Sequence, residues 1–309
     1  MNTTELVAQI RSTGQLSAND DAFTAALLLG RATQALWDRF ARALTSLRQG
    51  YWLHRATTST TAGNALYRLP VRAIAQGVEK LEISLDGTNF KELEILTQTQ
   101  ATDASYTIAA QGQPWAFTLE SDCVRLFPTP GGAYTLRFHY YLRPPVLTTY
   151  AATGIVAVVD VITRSIAVTS DPAALGITTD TGADIQHASG THELSLVGGT
   201  ITSIAGPVLG FYTITFAVGT DLSQVVFGDY IRVPDTAVFP MLPVELHRPL
   251  ADYVAADALM SKGDKEKAGT IVGKCEAGIE GFVDMSRPRV KNRPFTFKTR
   301  NTYLRRKFG

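Results

Sequence analysis

Nowhere does the chain hold the roughly eighteen consecutive apolar residues that a membrane-spanning helix needs, and its opening MNTTELVAQIRSTG has no basic segment leading into an apolar one. Neither a spanning helix nor a secretion signal is expected. No GxSxG, HExxH, Walker loop, GxGxxG or CxxC occurs, so the common catalytic signatures are missing and the chain reads as a non-enzyme with no cofactor and no metal. Only two cysteines are present, Cys123 and Cys275, both among apolar neighbours, and they read as inert core thiols rather than a disulfide or a reactive pair. Charge is scarce as well: 18% of residues are charged, against about 25% in ordinary globular domains, which points to surface covered by something other than water, such as oligomer interfaces.

What is present reads as an α+β chain. Ser17, Asp20 and Asp21 precede Phe23, Leu27, Leu36, Phe40, Leu44 and Leu47, spaced mostly by three and four residues. That pattern predicts a capped amphipathic helix of about seven turns, broadened by Trp37, with a shorter helix over Thr4–Ser12 before the Gly14 break. After Gly50 short β runs take over at Tyr51-Trp52-Leu53 and Leu66-Tyr67, flanking a polar stretch from Ala56 to Ala65. Leu81, Ile83 and Leu85 run into Asp86-Gly87 and on to Phe90, Leu93 and Ile95, the signature of a hairpin. Trp115, Phe117 and Leu119, then Val124 and Leu126, then Tyr134, Leu136, Phe138 and Tyr140 after a Pro-Gly-rich turn, predict an antiparallel sheet with one buried face.

From about 153 to 235 the chain is poor in charge and rich in Val, Ile, Thr and Gly, and reads as an inserted all-β module. Strand pairs are expected over Ile155–Val168 and around Gly198-Gly199, a further strand over Phe211–Val218, and a loop over Thr178–Ser189. Helical spacing returns with Leu246, Leu250, Val254 and Ala258, where Pro249 should kink the helix or mark its start. A last helix follows Lys262-Gly263-Asp264. On it Gly269, Gly273, Ala277 and Gly281 form a small-residue stripe suited to close helix packing, while Ile271, Cys275, Ile279 and Phe282 pack on another side. The organisation expected is a core of 1–152 with 236–286, the inserted module 153–235, and an extended arm 287–309.

The arm holds nine basic residues and no acidic one, interleaved with Phe and Tyr, whereas the whole chain carries +1. Phosphate and base contacts, docking on a protein partner, and a solvated tail are the three readings. The aromatics disfavour the last, and the acidic body favours a protein partner over nucleic acid. Two constellations resemble chemistry without building it. Asp180, Asp184, His187, His192 and Glu193 offer metal-type ligands but lack a ligand spacing, and read as solvated loop residues. Ser121, Asp122 and His139 contain the residue types of a triad, but Ser121-Asp122 is an ordinary turn pair.

At Tyr67-Arg-Leu-Pro-Val-Arg-Ala-Ile74, Asp122-Cys-Val-Arg-Leu-Phe-Pro-Thr-Pro130, Tyr140-Tyr-Leu-Arg-Pro144 and Leu242-Pro-Val-Glu-Leu-His247, and at Leu250–Leu259 followed by Gly263-Asp264, the chain resembles the head-to-tail adaptors of tailed bacteriophages. The segment 153–235 departs from that pattern. The resemblance implies a structural virion protein, in which a bundle of the N- and C-terminal helices lines a homo-oligomeric ring of twelve copies. It implies a ring below the portal protein, a platform for the next tail component (a nozzle or tube protein), a channel through which DNA passes without specific binding, and no membrane. It further implies that the arm reaches the portal through Arg287, Arg289, Lys291, Arg293, Phe295, Phe297, Arg300, Tyr303, Arg305 and Arg306. The competing reading is a carbohydrate- or cell-surface-binding tail protein, with Tyr212 and Tyr230 as aromatic platforms.

Overall fold

A computed structural model describes residues 1–46, 51–104, 111–190 and 192–286. Helix α1, Thr3–Gly14, opens on a capping box: the Asn2 side chain accepts from the Glu5 amide while the Glu5 carboxylate accepts from the Asn2 amide. It buries Leu6, Val7 and Ile10. The long helix predicted from Ser17 starts later. Ser17–Phe23 is irregular, ending in one 3-10 turn, and the cap is Thr24, whose hydroxyl accepts from the Leu27 amide. Helix α2 covers Ala25–Ala35 and α3 covers Ala41–Ser46, joined by a π turn over Leu36–Phe40. The buried stripe is Leu28, Ala32, Leu36, Phe40 and Leu44, not a stripe through Leu27, which is exposed. Strict four-residue steps outrun a 3.6-residue turn, and the wider π turn rotates the stripe back onto the core. Leu47 lies outside the described residues.

Two four-stranded sheets follow. Their strands are β1 Leu53–Ser59, β2 Leu66–Arg68, β3 Ala73–Ser84, β4 Lys91–Glu92, β5 Glu94–Ile95, then after helix α4 (Gln98–Ala104) β6 Ala116–Glu120, β7 Cys123–Phe127 and β8 Thr135–Leu142. One sheet has the order β1-β8-β3-β4 and the other β2-β7-β6-β5. The predicted hairpin at Asp86-Gly87 is the β3–β4 turn. There Asp86 accepts from Ser84 Oγ and from the Thr88 and Asn89 amides, which hold its carboxyl well below the usual range. Leu81 and Ile83 are fully buried but Leu85, already in the turn, is exposed. The alternation expected for Val124/Leu126 and Leu136/Phe138/Tyr140 places all five in the core.

Strand β9, Val146–Leu147, pairs in parallel with β17, Thr236–Ala237, so the two chain crossings that lead into and out of the third sheet run side by side. Between them lie β10 Gly154–Asp160, β11 Ser165–Val168, β12 Ala183–Gln186, β13 Leu194–Gly199, β14 Ile201–Val208, β15 Phe211–Phe216 and β16 Tyr230–Arg232. They form one seven-stranded sheet, β13-β12-β16-β10-β11-β15-β14, around its own core of Val156, Ile166, Val168, Ile185, Ile214, Phe216, Ile231 and neighbours. Two expectations fail here. The presumed loop over Thr178–Ser189 contains β12, all four residues of which are buried. The strands on either side of Gly198-Gly199 do not pair with each other: β13 pairs with β12 and β14 with β15, so strands separated only by Thr200 stand at opposite edges of the sheet. The sheet must therefore curl until its edges approach, aided by the bulge between Val156 and Val158. Gly199 permits the crossover, since a Cβ there would lie 2.5 Å from Leu196 Cδ2 and 3.1 Å from Phe216 Cδ1.

The chain closes on α5, His247–Ser261, and α6, Lys265–Ser286. Pro249 falls in the first turn of α5, where a missing amide costs nothing, so it marks a start rather than a kink. Leu246, Leu250, Val254 and Ala258 are fully buried, and α1, α2 and α6 all pack on α5. Gly263, at φ +88°, ends α5 in a Schellman motif: its amide donates to Met260 O and that of Asp264 to Leu259 O. The sheets, rather than the helices alone, share the main core with α1–α3, α5 and α6.

Candidate functional site

The third sheet meets the rest of the molecule through a polar seam built on the strand that the sequence hides. Period-two alternation on β12 sends Ala183 and Ile185 into the sheet's core and turns Asp184 and Gln186 the other way, Asp184 toward Arg72 before β3 and Gln186 toward Arg232 and the backbone of His192 and Phe239. Asp184 is fully buried and accepts three bonds, from Arg72 Nη1 at 2.6 Å, the Gly198 amide at 2.6 Å and the Asp235 amide at 2.9 Å. Arg72 also faces Asp235 Oδ1 at 3.2 Å, and Arg143 reaches Asp235 Oδ2 at 3.4 Å. Beside them Arg232, also fully buried, donates to Gln186 Oε1 at 2.6 Å, and Gln186 Nε2 donates to the carbonyls of His192 and Phe239. Burial pulls Arg232 down to about 9, with the Asp184 charge opposing that shift. Directional charged bonds of this kind fix one orientation between two bodies more sharply than apolar contact does.

Aromatic rings fill the seam's other end. The His192 ring stacks 4.4 Å from Phe239 and 5.5 Å from His247, while His247 donates from Nε2 to Leu242 O and accepts at Nδ1 from the Met1 amino group, at 3.1 Å each. Burial, reinforced by the Met1 ammonium and His192, pulls His247 down to about 4, and burial also lowers His192. His187 shifts the other way, raised by Asp229 at 3.2 Å. Because His247 and His192 bind protons more weakly when folded, stability is retained above about pH 6.5 and lost as the pH falls toward 4. His247 alone is expected to cost about 2 kcal/mol between pH 7 and 5, His187 offsetting part of it. Urea unfolding midpoints that do not change over that interval would refute this.

The candidate residues are dispersed. Asp184 and His192 are buried members of the seam rather than solvated loop residues, and His187 is paired with Asp229; only Asp180 is a freely exposed loop residue. Among the described residues no group of three or more His, Cys, Asp or Glu could hold a metal. His139 sits on β8 bonded to Glu82 at 2.8 Å, and Ser121, at φ +55°, shapes the β6–β7 turn. Cys123 and Cys275 are both free thiols, the second buried and pushed up to about 11. Tyr230 packs 5.1 Å from Phe239 and 5.7 Å from Tyr150, and Tyr212 lies against the third sheet's core, so both rings serve packing.

On α6 the expected face of Cys275, Phe282, Ile271 and Ile279 does turn inward. Gly269, Gly273, Ala277 and Gly281 are exposed, and an added Cβ at any of the three glycines would meet nothing within 4 Å. The close approach within the chain is made instead by Gly278, where a Cβ would stand 2.9 Å from Pro249 Cγ. The sequence reading passes over Gly278 because it lies outside the four-residue stripe. The arm, with Arg287, Arg289, Lys291, Arg293, Phe295, Phe297, Arg300, Tyr303, Arg305 and Arg306, lies outside the described residues. No described helix is long and apolar enough to cross a membrane.

A search of curated proteins gives no match. Against models of known families, residues 1–168 match that of the SU10 adaptor protein, from α1 through both four-stranded sheets and to the end of β11, the second strand of the third sheet. That stretch is more than half of the 309 residues, and it holds three of the motifs that resemble phage head-to-tail adaptors. The chain therefore belongs to the SU10 adaptor protein family.

Proposed function

We propose that this chain is a head-to-tail adaptor that assembles as a ring of twelve copies below the portal and offers its lower surface to the next tail component, a nozzle or tube protein. The carrying observation is the adaptor-family match over residues 1–168. In this reading α1, α2, α5 and α6 form the bundle that lines the ring, and DNA passes through the channel without specific binding. The exposed stripe of Gly269, Gly273, Ala277 and Gly281 faces the adjoining copy, where small side chains let a neighbouring backbone come close. The arm 287–309 docks on the portal through its Arg, Phe and Tyr side chains, ordering as it binds. Residues 153–235 act as an inserted module projecting toward later tail proteins, a reading supported by the paired crossings β9 and β17 and by the separate core. The particle neck, reached by assembly in the host cytoplasm, is then its location.

The test is native mass spectrometry of the purified chain mixed with portal rings from the same phage. One full ring of copies should add to each portal. Replacing the arm's Arg and Lys residues by Ser should abolish addition while far-UV circular dichroism stays unchanged. Addition that survives the replacement removes the arm from the mechanism, and no addition by the native chain removes the adaptor reading.

A further inference from the structure

The third sheet divides into two unlike halves. Strands β12, β13 and β16 face the seam and carry none of the exposed large apolar residues. The distal strands and the segment before β16 expose many, among them Ile162 at 89%, Val218 at 86% and Phe227 at 78%, with Val158, Val161 and Val226. These six belong to one end. The 160–164 turn is tied to the end of β15 by the Phe216 amide donating to Arg164 O, and the 217–228 segment returns along β10 through the Gly228 amide donating to Val156 O, both at 2.9 Å. An apolar surface of this kind on a charge-poor module marks a contact site.

Its charge specifies the occupant. Residues 153–235 hold eight acidic side chains, of which Asp184, Asp229 and Asp235 are paired with Arg72, His187 and Arg143, and two arginines: Arg232, fully buried, and Arg164, half-buried in the 160–164 turn. At the apolar end Asp160 and Asp221 are exposed, and their bonds go to nearby amides: Ile162 and Thr163 for the first, Ser223 for the second. Neither has a Lys or Arg partner among the described residues. Beyond Ser286 the chain continues for 23 residues with nine basic side chains, no acidic one, and Phe295, Phe297, Tyr303 and Phe308. Extended at about 3.3 Å per residue, that length reaches roughly 75 Å, enough to cross a domain of this size.

We infer that the C-terminal segment 287–309 docks on the distal end of the third sheet in the unassembled protein, its aromatic rings against Ile162, Val218 and Phe227 and its cations beside Asp160 and Asp221. This goes beyond the portal-docking role: the same residues cannot serve both partners, so the portal displaces the sheet when the arm is taken up.

The full-length chain carrying a photo-crosslinking residue at position 227, and separately at 162, tests this. Cross-links should map to peptides within 287–309, disappear near 1 M salt, where the screening length is about 3 Å, and fall several-fold in the D160N/D221N variant. Cross-links that map elsewhere, that ignore salt, or that fail to form overturn the inference. Portal addition is measured on the unlabelled chain, so an arm that binds portal yet never cross-links to the sheet refutes the docking alone.

Discussion

Replacing Asp184 with alanine is expected to destabilise the protein by about 3–5 kcal/mol, the usual result of removing one partner from a buried ionic network. The magnitude follows from what is left behind. Asp184 is fully buried and serves Arg72 at 2.6 Å and two backbone amides. Without it, the buried Arg232 loses the one carboxylate that supports its charge, and the amides of Gly198 and Asp235 lose their acceptor. Asp184→Asn keeps the shape and an acceptor oxygen but not the charge, so its loss should be smaller. Urea unfolding of the two variants measures this, and a loss below about 1 kcal/mol for the alanine variant, typical of an exposed ion pair, would show that the seam is not structural.

Trp52→Ala should cost a similar amount, about 3–5 kcal/mol, as large-to-small changes at buried aromatics do. Trp52 is only 1% exposed, and it joins three segments that lie far apart in sequence. Its indole Nε1 donates to Met241 O at 2.7 Å, its carbonyl accepts from the Leu142 amide at 2.7 Å, and its ring lies in the main core. Its φ of +61° places it in the left-handed region, a conformation that costs a tryptophan about 1–2 kcal/mol, so the surrounding contacts must exceed that cost. Trp52→Phe retains most of the packing and leaves Met241 O without a donor, for an expected loss of about 1–3 kcal/mol. Thermal unfolding that treats the two variants alike would mean that the indole bond, not the ring, carries the effect.

The two substitutions sit on opposite sides of what could be read in advance. Trp52 stands in an apolar run flanked by a polar stretch, and its burial follows from composition. Asp184 lies in a segment that reads as loop, because the alternation of Ala183 and Ile185 with Asp184 and Gln186 spans only four residues and is set among Thr, Gly, Asp, His and Ser. Only pairing with β13 and β16, contributed by residues about 10 to 50 positions later in the chain, makes that segment a buried strand.

By itself the sequence determined the local signals whose causes are local: the Asp86-Gly87 hairpin, the alternation on β7 and β8, the end of α5 at Gly263, the inward face of α6 through Cys275 and Phe282, and the adaptor-like motifs that the family match supports. Tertiary structure alone decided where the long helix starts, because Thr24 and Ser17 are equally good caps until the core selects which turn packs. It also decided that β13 and β14 part at Thr200, since strand pairing depends on partners and not on the strands' own residues. The same holds for the glycine through which α6 packs on α5. A stripe of small residues is visible as a spacing, but whether a backbone approaches it depends on where α5 lies, and α5 lies against Gly278.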